Sequence, residues 1–185
     1  MTNISAEVTK ILKTNPVNRI DFKIDSISVN QNQMIKVANA IDNNLIEVNL
    51  GSSGTSFAAS YTSWKTRRQV AGQQKMVGQI TISENALHTQ IGKAAIFHEC
   101  VHALMDVAGY KPGMRKDEAV AYLADALYME TLKINVSQAG LVGALYKAAN
   151  KLINSKNMLK NPGTVLTWSD CDALLAAIKA IPEYS

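Results

Sequence analysis

The sequence predicts an α+β protein in which a small, mostly antiparallel sheet from the first half packs against a helical second half. Three observations predict it. Apolar and polar residues alternate within Ile20–Ile24, Ile46–Leu50 and Met76–Ile82, the period of half-buried strands. From residue 83 onward apolar residues recur every three or four positions, the period of helices. The 185 residues are 47% hydrophobic, enough to build one core. The chain therefore reads as a single domain over residues 1–185, with a sheet-containing half (1–82) and a helical half (83–185).

Taken in order, Ile4, Val8, Ile11 and Leu12 lie at helical spacing within Asn3–Lys13, and Asn15-Pro16 closes that helix. The strand Ile20–Ile24 follows. Residues Gln33–Ile41 suit either a short helix or a loop. Asn43-Asn44 is a turn signal before the strand Ile46–Leu50. Gly51–Ser63, rich in Gly, Ser, Thr and Ala, reads as a loop that either flanks a cleft or simply connects. In the last strand, Met76, Ile80 and Ile82 share a face and Gly78 leaves a gap in it. Ser83-Glu84-Asn85 ends the strand, and Thr89 caps the next helix, with Gly92 in its first turn. Gly109-Tyr110-Lys111-Pro112-Gly113 stops that helix and reverses the chain. A helix over Met114–Lys133 then carries one stripe of Val120, Leu123, Ala124 and Leu127, and another of Glu118, Tyr122 and Asp125. Leu141, Leu145, Ala148, Leu152 and Ile153 continue the helical spacing to Lys156, and Asn161-Pro162-Gly163 breaks it. Ser169, three residues before Asp172, suggests a weak capping box for a last helix bearing Leu174, Leu175 and Ile178, which Pro182 ends.

The chemistry concentrates in Ala94–Asp106, which contains His98-Glu99-Cys100-Val101-His102. On a helix, positions i and i+4 share a face, so His98 and His102 project together and can grip one zinc ion. Glu99 is offset enough to take a proton from a water molecule rather than to bind the metal. Zinc lowers the pKa of a bound water to roughly 7. Chance would produce this five-residue pattern about once in a few hundred chains of this length. The chain has three histidines in all, and two fall in the motif. The plain alternative is a buried helix whose histidines hydrogen-bond their neighbours.

A zinc site with an open position needs a third protein ligand. Asp106 shares the face but lies two turns from His98, about 12 Å along the axis, too far for its short side chain. Glu118 is the better candidate, because a reversed second helix brings it back to the histidines. Alanines at 119, 121, 124 and 126 let the two helices approach closely. With these residues the chain resembles the gluzincin metallopeptidases, zincins that join His-Glu-x-x-His to a glutamate on a following helix. The resemblance spans roughly residues 76–130. Glu118, Ala121 and Asp125 match the pattern of the glutamate helix loosely, and the His102–Glu118 interval is at the short end.

The resemblance implies a zinc-dependent metallopeptidase holding Zn2+ through His98, His102 and Glu118, with Glu99 as general base and a protein or peptide as substrate. It also implies that an edge strand just before the metal helix pairs with extended substrate. Asp125 or Asp106 would orient a ligand histidine. Tyr110, Tyr122, Tyr128 and His88 are candidate donors to the developing oxyanion. Two other settings use the same residues: a non-catalytic or regulatory binding module, and a secreted bacterial effector or toxin. A binding module has no need of Glu99.

Composition narrows the partners. The formal charge is +4 and scattered, with only Lys65, Arg67 and Arg68 clustered beside Trp64, so a nucleic-acid partner is not expected. No apolar run approaches the roughly 20 residues of a membrane span. Met1–Lys13 has no signal-peptide core, which fits a cytoplasmic protein or one secreted without a classical signal peptide. Two cysteines, Cys100 and Cys171, make no disulfide framework.

Overall fold

The computed structural model describes residues 3–51, 58–63, 78–134 and 140–184. Six helices are seen among them: α1 (Ile4–Lys13), α2 (Gln31–Asp42), α3 (Gln90–Ala108), α4 (Met114–Thr131), α5 (Gly140–Ser155) and α6 (Asp172–Lys179). Six strands accompany them: β1 (Asp21–Ile24), β2 (Ile27–Asn30), β3 (Ile46–Leu50), β4 (Ala59–Ser63), β5 (Gly78–Ile82) and β6 (Thr164–Leu166). The architecture is α+β. No described helix is long and apolar enough to cross a membrane.

The sheet arrangement corrects the sequence reading. There are two three-stranded sheets, ordered β2-β1-β6 and β3-β5-β4. Each combines one antiparallel and one parallel pair, so neither is mostly antiparallel. The first is not confined to the N-terminal half either, because β6 returns after α2–α5 to pair in parallel with β1. Three strands, β2, β4 and β6, escaped the sequence reading, and β2 is only four residues long. β6 has three residues, too few to show a period, and β4 (Ala-Ser-Tyr-Thr-Ser) carries small polar side chains where a core strand would carry branched ones.

α2 resolves the ambiguity at Gln33–Ile41. Asn30 Oδ1 accepts from the Gln33 N–H and starts a helix that buries Met34, Val37, Ala38 and Ile41. Lys133 lies beyond α4, in the left-handed region at φ 56°. The residue that initiates the last turn is Thr167, not Ser169. Thr167 and Asp170 form a reciprocal capping box over the 3-10 turn Trp168–Cys171, and α6 continues from it. Trp64, Lys65, Arg67, Arg68, Met76 and residues 52–57 of the expected Gly51–Ser63 loop fall outside the described residues, and the end of that loop is the strand β4 instead.

One cluster of buried side chains runs through the described chain, from Val8 and Leu12 on α1 to Ile178 on α6. α3 lies at its centre, in contact with α2, α4 and β4. Phe97, Ile96, Cys100, Val101 and Leu104 are fully buried, which explains why α3 is apolar around most of its circumference. Cys100 and Cys171 are free thiols in this core.

Candidate metal centre

α3 is set in place at both ends. Thr89 Oγ1 accepts from the Gly92 N–H at 3.0 Å. A Cβ at Gly92 would stand 2.7 Å from the carbonyl carbon of Ala86, so only glycine lets the helix start against the turn Glu84–His88. Gly109, at φ 73°, ends the helix in the left-handed conformation, and Tyr110 N–H returns to the Met105 carbonyl. Residues 110–113 then turn the chain, and α4 packs back along α3. Ala119, Ala121 and Ala124 are buried, as close approach of two helices requires.

This geometry brings His98, His102 and Glu118 together. One ligand-capable atom from each lies within 4.8 Å of the others, the one such group of three found among the described residues. His98 Nε2 and His102 Nε2 are 3.2 Å apart. Glu118 straddles the pair, with Oε2 at 3.6 Å from His98 Nε2 and Oε1 at 3.6 Å from His102 Nε2. Two atoms bound to one zinc ion at 2.0–2.1 Å and the tetrahedral angle stand about 3.3 Å apart. The separation of the two imidazole nitrogens is close to that distance, and each Glu118 oxygen stands within a few tenths of an ångström of it from one of them. Glu118 Oε2 is also buried with no hydrogen-bond partner among the described residues, a costly arrangement that a cation would relieve. The residues present fit a zinc ion.

Comparison with protein-family models, curated proteins and solved structures finds no match. The site must be read from its own geometry.

The surroundings favour a cation. His102 Nδ1 lies 3.0 Å from Asp117 Oδ1, which fixes the ring with Nε2 turned to the centre. Burial alone would lower the pKa of His102, yet its bond to Asp117 and the charges of Asp117, Glu118 and Glu99 outweigh burial and raise it to about 9. The same negative surroundings that favour the protonated ring also favour a cation. Burial pushes Glu118 up, but the neighbouring histidines prevail and hold it below its ordinary value. Behind His98, Asp125 is buried, accepts from the Tyr146 hydroxyl and has Oδ2 3.9 Å from His98 Nδ1. Burial raises its pKa to about 6.

Glu99 points across the cleft, where its Oε2 accepts from the Tyr61 N–H at 2.7 Å. Burial raises its pKa, and the nearby histidines partly oppose that. The cleft, about 440 Å³, has one wall from β4 and the other from α4. Its edge strand is β4, which pairs with β5 alone among the described strands; β5, the strand expected at the edge, is central. Asp106 lies in the wall and accepts from the Tyr61 hydroxyl at 2.7 Å.

Of the sequence-predicted donors, Tyr122 lines the cleft with its ring 4.7 Å from that of His98. Tyr128 is buried against Phe97, His88 is exposed on the turn before α3, and Tyr110 is outside the cleft lining. Sequence reasoning missed Tyr61, Tyr146 and Tyr184. Their spacing from the motif carries no signal, because each arrives by tertiary packing.

Proposed function

We propose that this chain is a zinc-dependent hydrolase of peptide bonds, with His98, His102 and Glu118 as metal ligands and Glu99 as general base. The observation that carries the reading is the convergence of the three groups, one ligand-capable atom from each within 4.8 Å of the others, in the lining of one cleft. Bound there, zinc would polarise a carbonyl and acidify a water molecule.

The chain's own residues supply the rest. Asp117 holds the His102 ring in register, and Tyr61 N–H holds the Glu99 carboxylate at the cleft wall. Burial raises the proton affinity of Glu99, which suits a group that takes a proton from water and passes it to a leaving amine. β4 ends its sheet among the described strands and lines the same cleft, a position that suits an extended peptide pairing as an added strand. A binding module without catalysis would gain nothing from a buried carboxylate held beside two histidines. An effector or toxin role would keep this chemistry and change only its setting.

Metal analysis of the purified protein tests the reading. Wild type is expected to hold close to one zinc per chain, and Glu118→Ala to lose most of it. A wild type that takes up no zinc would end the proposal. Full retention by Glu118→Ala would remove Glu118 from the ligand set.

A further inference from the structure

Three tyrosines line the cleft: Tyr61, Tyr122 and Tyr184. The Tyr61 hydroxyl is engaged with Asp106 at 2.7 Å. Tyr122 stands edge-on between His98 and Tyr146, with ring centroids at 4.7 and 6.0 Å, and so serves to pack the ligand histidine. Tyr184 is placed differently. It sits on the 3-10 turn Pro182–Tyr184, half-buried, with its hydroxyl hydrogen-bonded to the carboxylate of Glu118, one of the three groups that converge at the centre. Its backbone is pinned from α4, where Arg115 Nε donates to the Tyr184 carbonyl at 2.8 Å. Arg115 and Glu118 are three residues apart, so a single turn of α4 fixes both the third ligand group and the tyrosine facing it.

We propose that Tyr184 is the hydrogen-bond donor to the substrate carbonyl oxygen as that oxygen gains negative charge, and that Arg115 is the residue that positions it. The inference rests on the hydrolase reading above. As the water oxygen bonds to the carbonyl carbon, the π pair moves onto the carbonyl oxygen and Glu99 takes the water's proton. Tyr184 donates its O–H to that oxygen without giving up the proton. The pair then returns, the C–N bond breaks, and the nitrogen leaves with the proton from Glu99. To donate, the hydroxyl turns from the Glu118 carboxylate to that oxygen while Arg115 keeps the Tyr184 backbone in place.

The test uses zinc-loaded full-length protein and acetohydroxamate, a small zinc-binding probe whose carbonyl oxygen can accept the same bond. Zinc content and probe affinity are measured for wild type, Tyr184→Phe, Arg115→Met and Arg115→Lys. Tyr184→Phe is expected to keep its zinc and to bind the probe about 5- to 20-fold more weakly, the loss of one hydrogen bond near a charged group. Arg115→Met is expected to lose part of that affinity, and Arg115→Lys to recover some of it. With labelled casein as substrate, Tyr184→Phe should lower kcat about 100-fold and leave KM within about twofold. Equal probe affinity in zinc-loaded wild type and Tyr184→Phe would overturn the assignment and leave the metal site standing. A wild type without zinc would remove the hydrolase reading itself. If Tyr184→Phe does not fold, unchanged probe affinity in Arg115→Met would overturn the positioning.

Discussion

The backbone N–H of Tyr61 donates to Oε2 of Glu99 at 2.7 Å, joining the edge strand β4 to the carboxylate between the two motif histidines. The bond leaves Glu99 short of the ligand set and at the cleft wall, where a base is useful. Glu99→Gln preserves shape and can still accept from Tyr61 N–H, but it cannot take a proton. We expect the variant to hold zinc as wild type does and to lose about 10²–10⁴-fold in kcat, the usual range for removing a general base. Metal analysis beside a casein-cleavage assay checks this. A variant with wild-type turnover would show that Glu99 is not the base.

Gly78 on β5 makes room for the same tyrosine. A Cβ there would stand 2.6 Å from two ring carbons of Tyr61, so the ring lies where a side chain would otherwise be. Gly78→Ala should displace the ring from Asp106 and lower stability by about 1–3 kcal/mol, as overpacking does. In a Tyr61→Ala background the added methyl meets no ring, and the cost should largely vanish. Urea unfolding of the four proteins in this cycle measures the coupling. Equal costs in both backgrounds would mean that Gly78 is not there for Tyr61.

These two contacts show where the sequence is readable and where it is not. The α3–turn–α4 unit is legible because its signals are local. His98 and His102 share a face by periodicity, Thr89 and Gly109 mark the helix ends, and the short Gly-rich turn leaves α4 no course but back along α3. Glu118 follows from that geometry. The β4 wall, Tyr146 and Tyr184 do not, because nothing in Ala-Ser-Tyr-Thr-Ser or in a tyrosine near residue 184 says which distant helix it will meet. Strand order is hidden for the same reason. Alternation marks β3 and β5 as strands but is silent on the insertion of β5 between β3 and β4.

The two carboxylates behind the histidines should differ in their hold on the metal. Asp117 Oδ1 is 3.0 Å from His102 Nδ1, a hydrogen bond, whereas Asp125 Oδ2 is 3.9 Å from His98 Nδ1 and already accepts from Tyr146. Asp117→Ala frees the His102 ring to rotate and should weaken zinc binding about 10–100-fold. Asp125→Asn keeps the Tyr146 bond and should weaken it less. Competition with a chelator of known affinity ranks the two. The opposite order would assign the orienting role to Asp125.

A second ionic device lies away from the cleft and gives a pH dependence of its own. Asp170 accepts from Thr167 N–H at 2.8 Å and from Thr167 Oγ1 at 3.0 Å, and it pairs with Lys156 on the loop after α5. The Lys156 bond and the Thr167 bonds hold its pKa down at about 2. In the unfolded chain an aspartate titrates near 3.9. A carboxyl whose folded pKa is depressed contributes stability above the unfolded value and loses it as pH falls through the folded one. Asp170→Asn should therefore unfold at lower urea concentration than wild type at pH 7, and the gap should narrow between about pH 4 and pH 2. The site is near the surface, so the gap at pH 7 should also shrink in high salt, which screens the Lys156 partner. The Thr167 backbone bond survives in the amide variant only if Asn turns its oxygen inward, so Thr167→Ala separates the capping part from the ionic part. A wild type and Asp170→Asn pair whose midpoints stay equally spaced from pH 7 to pH 2 would show that charge at Asp170 does not stabilise the turn into α6.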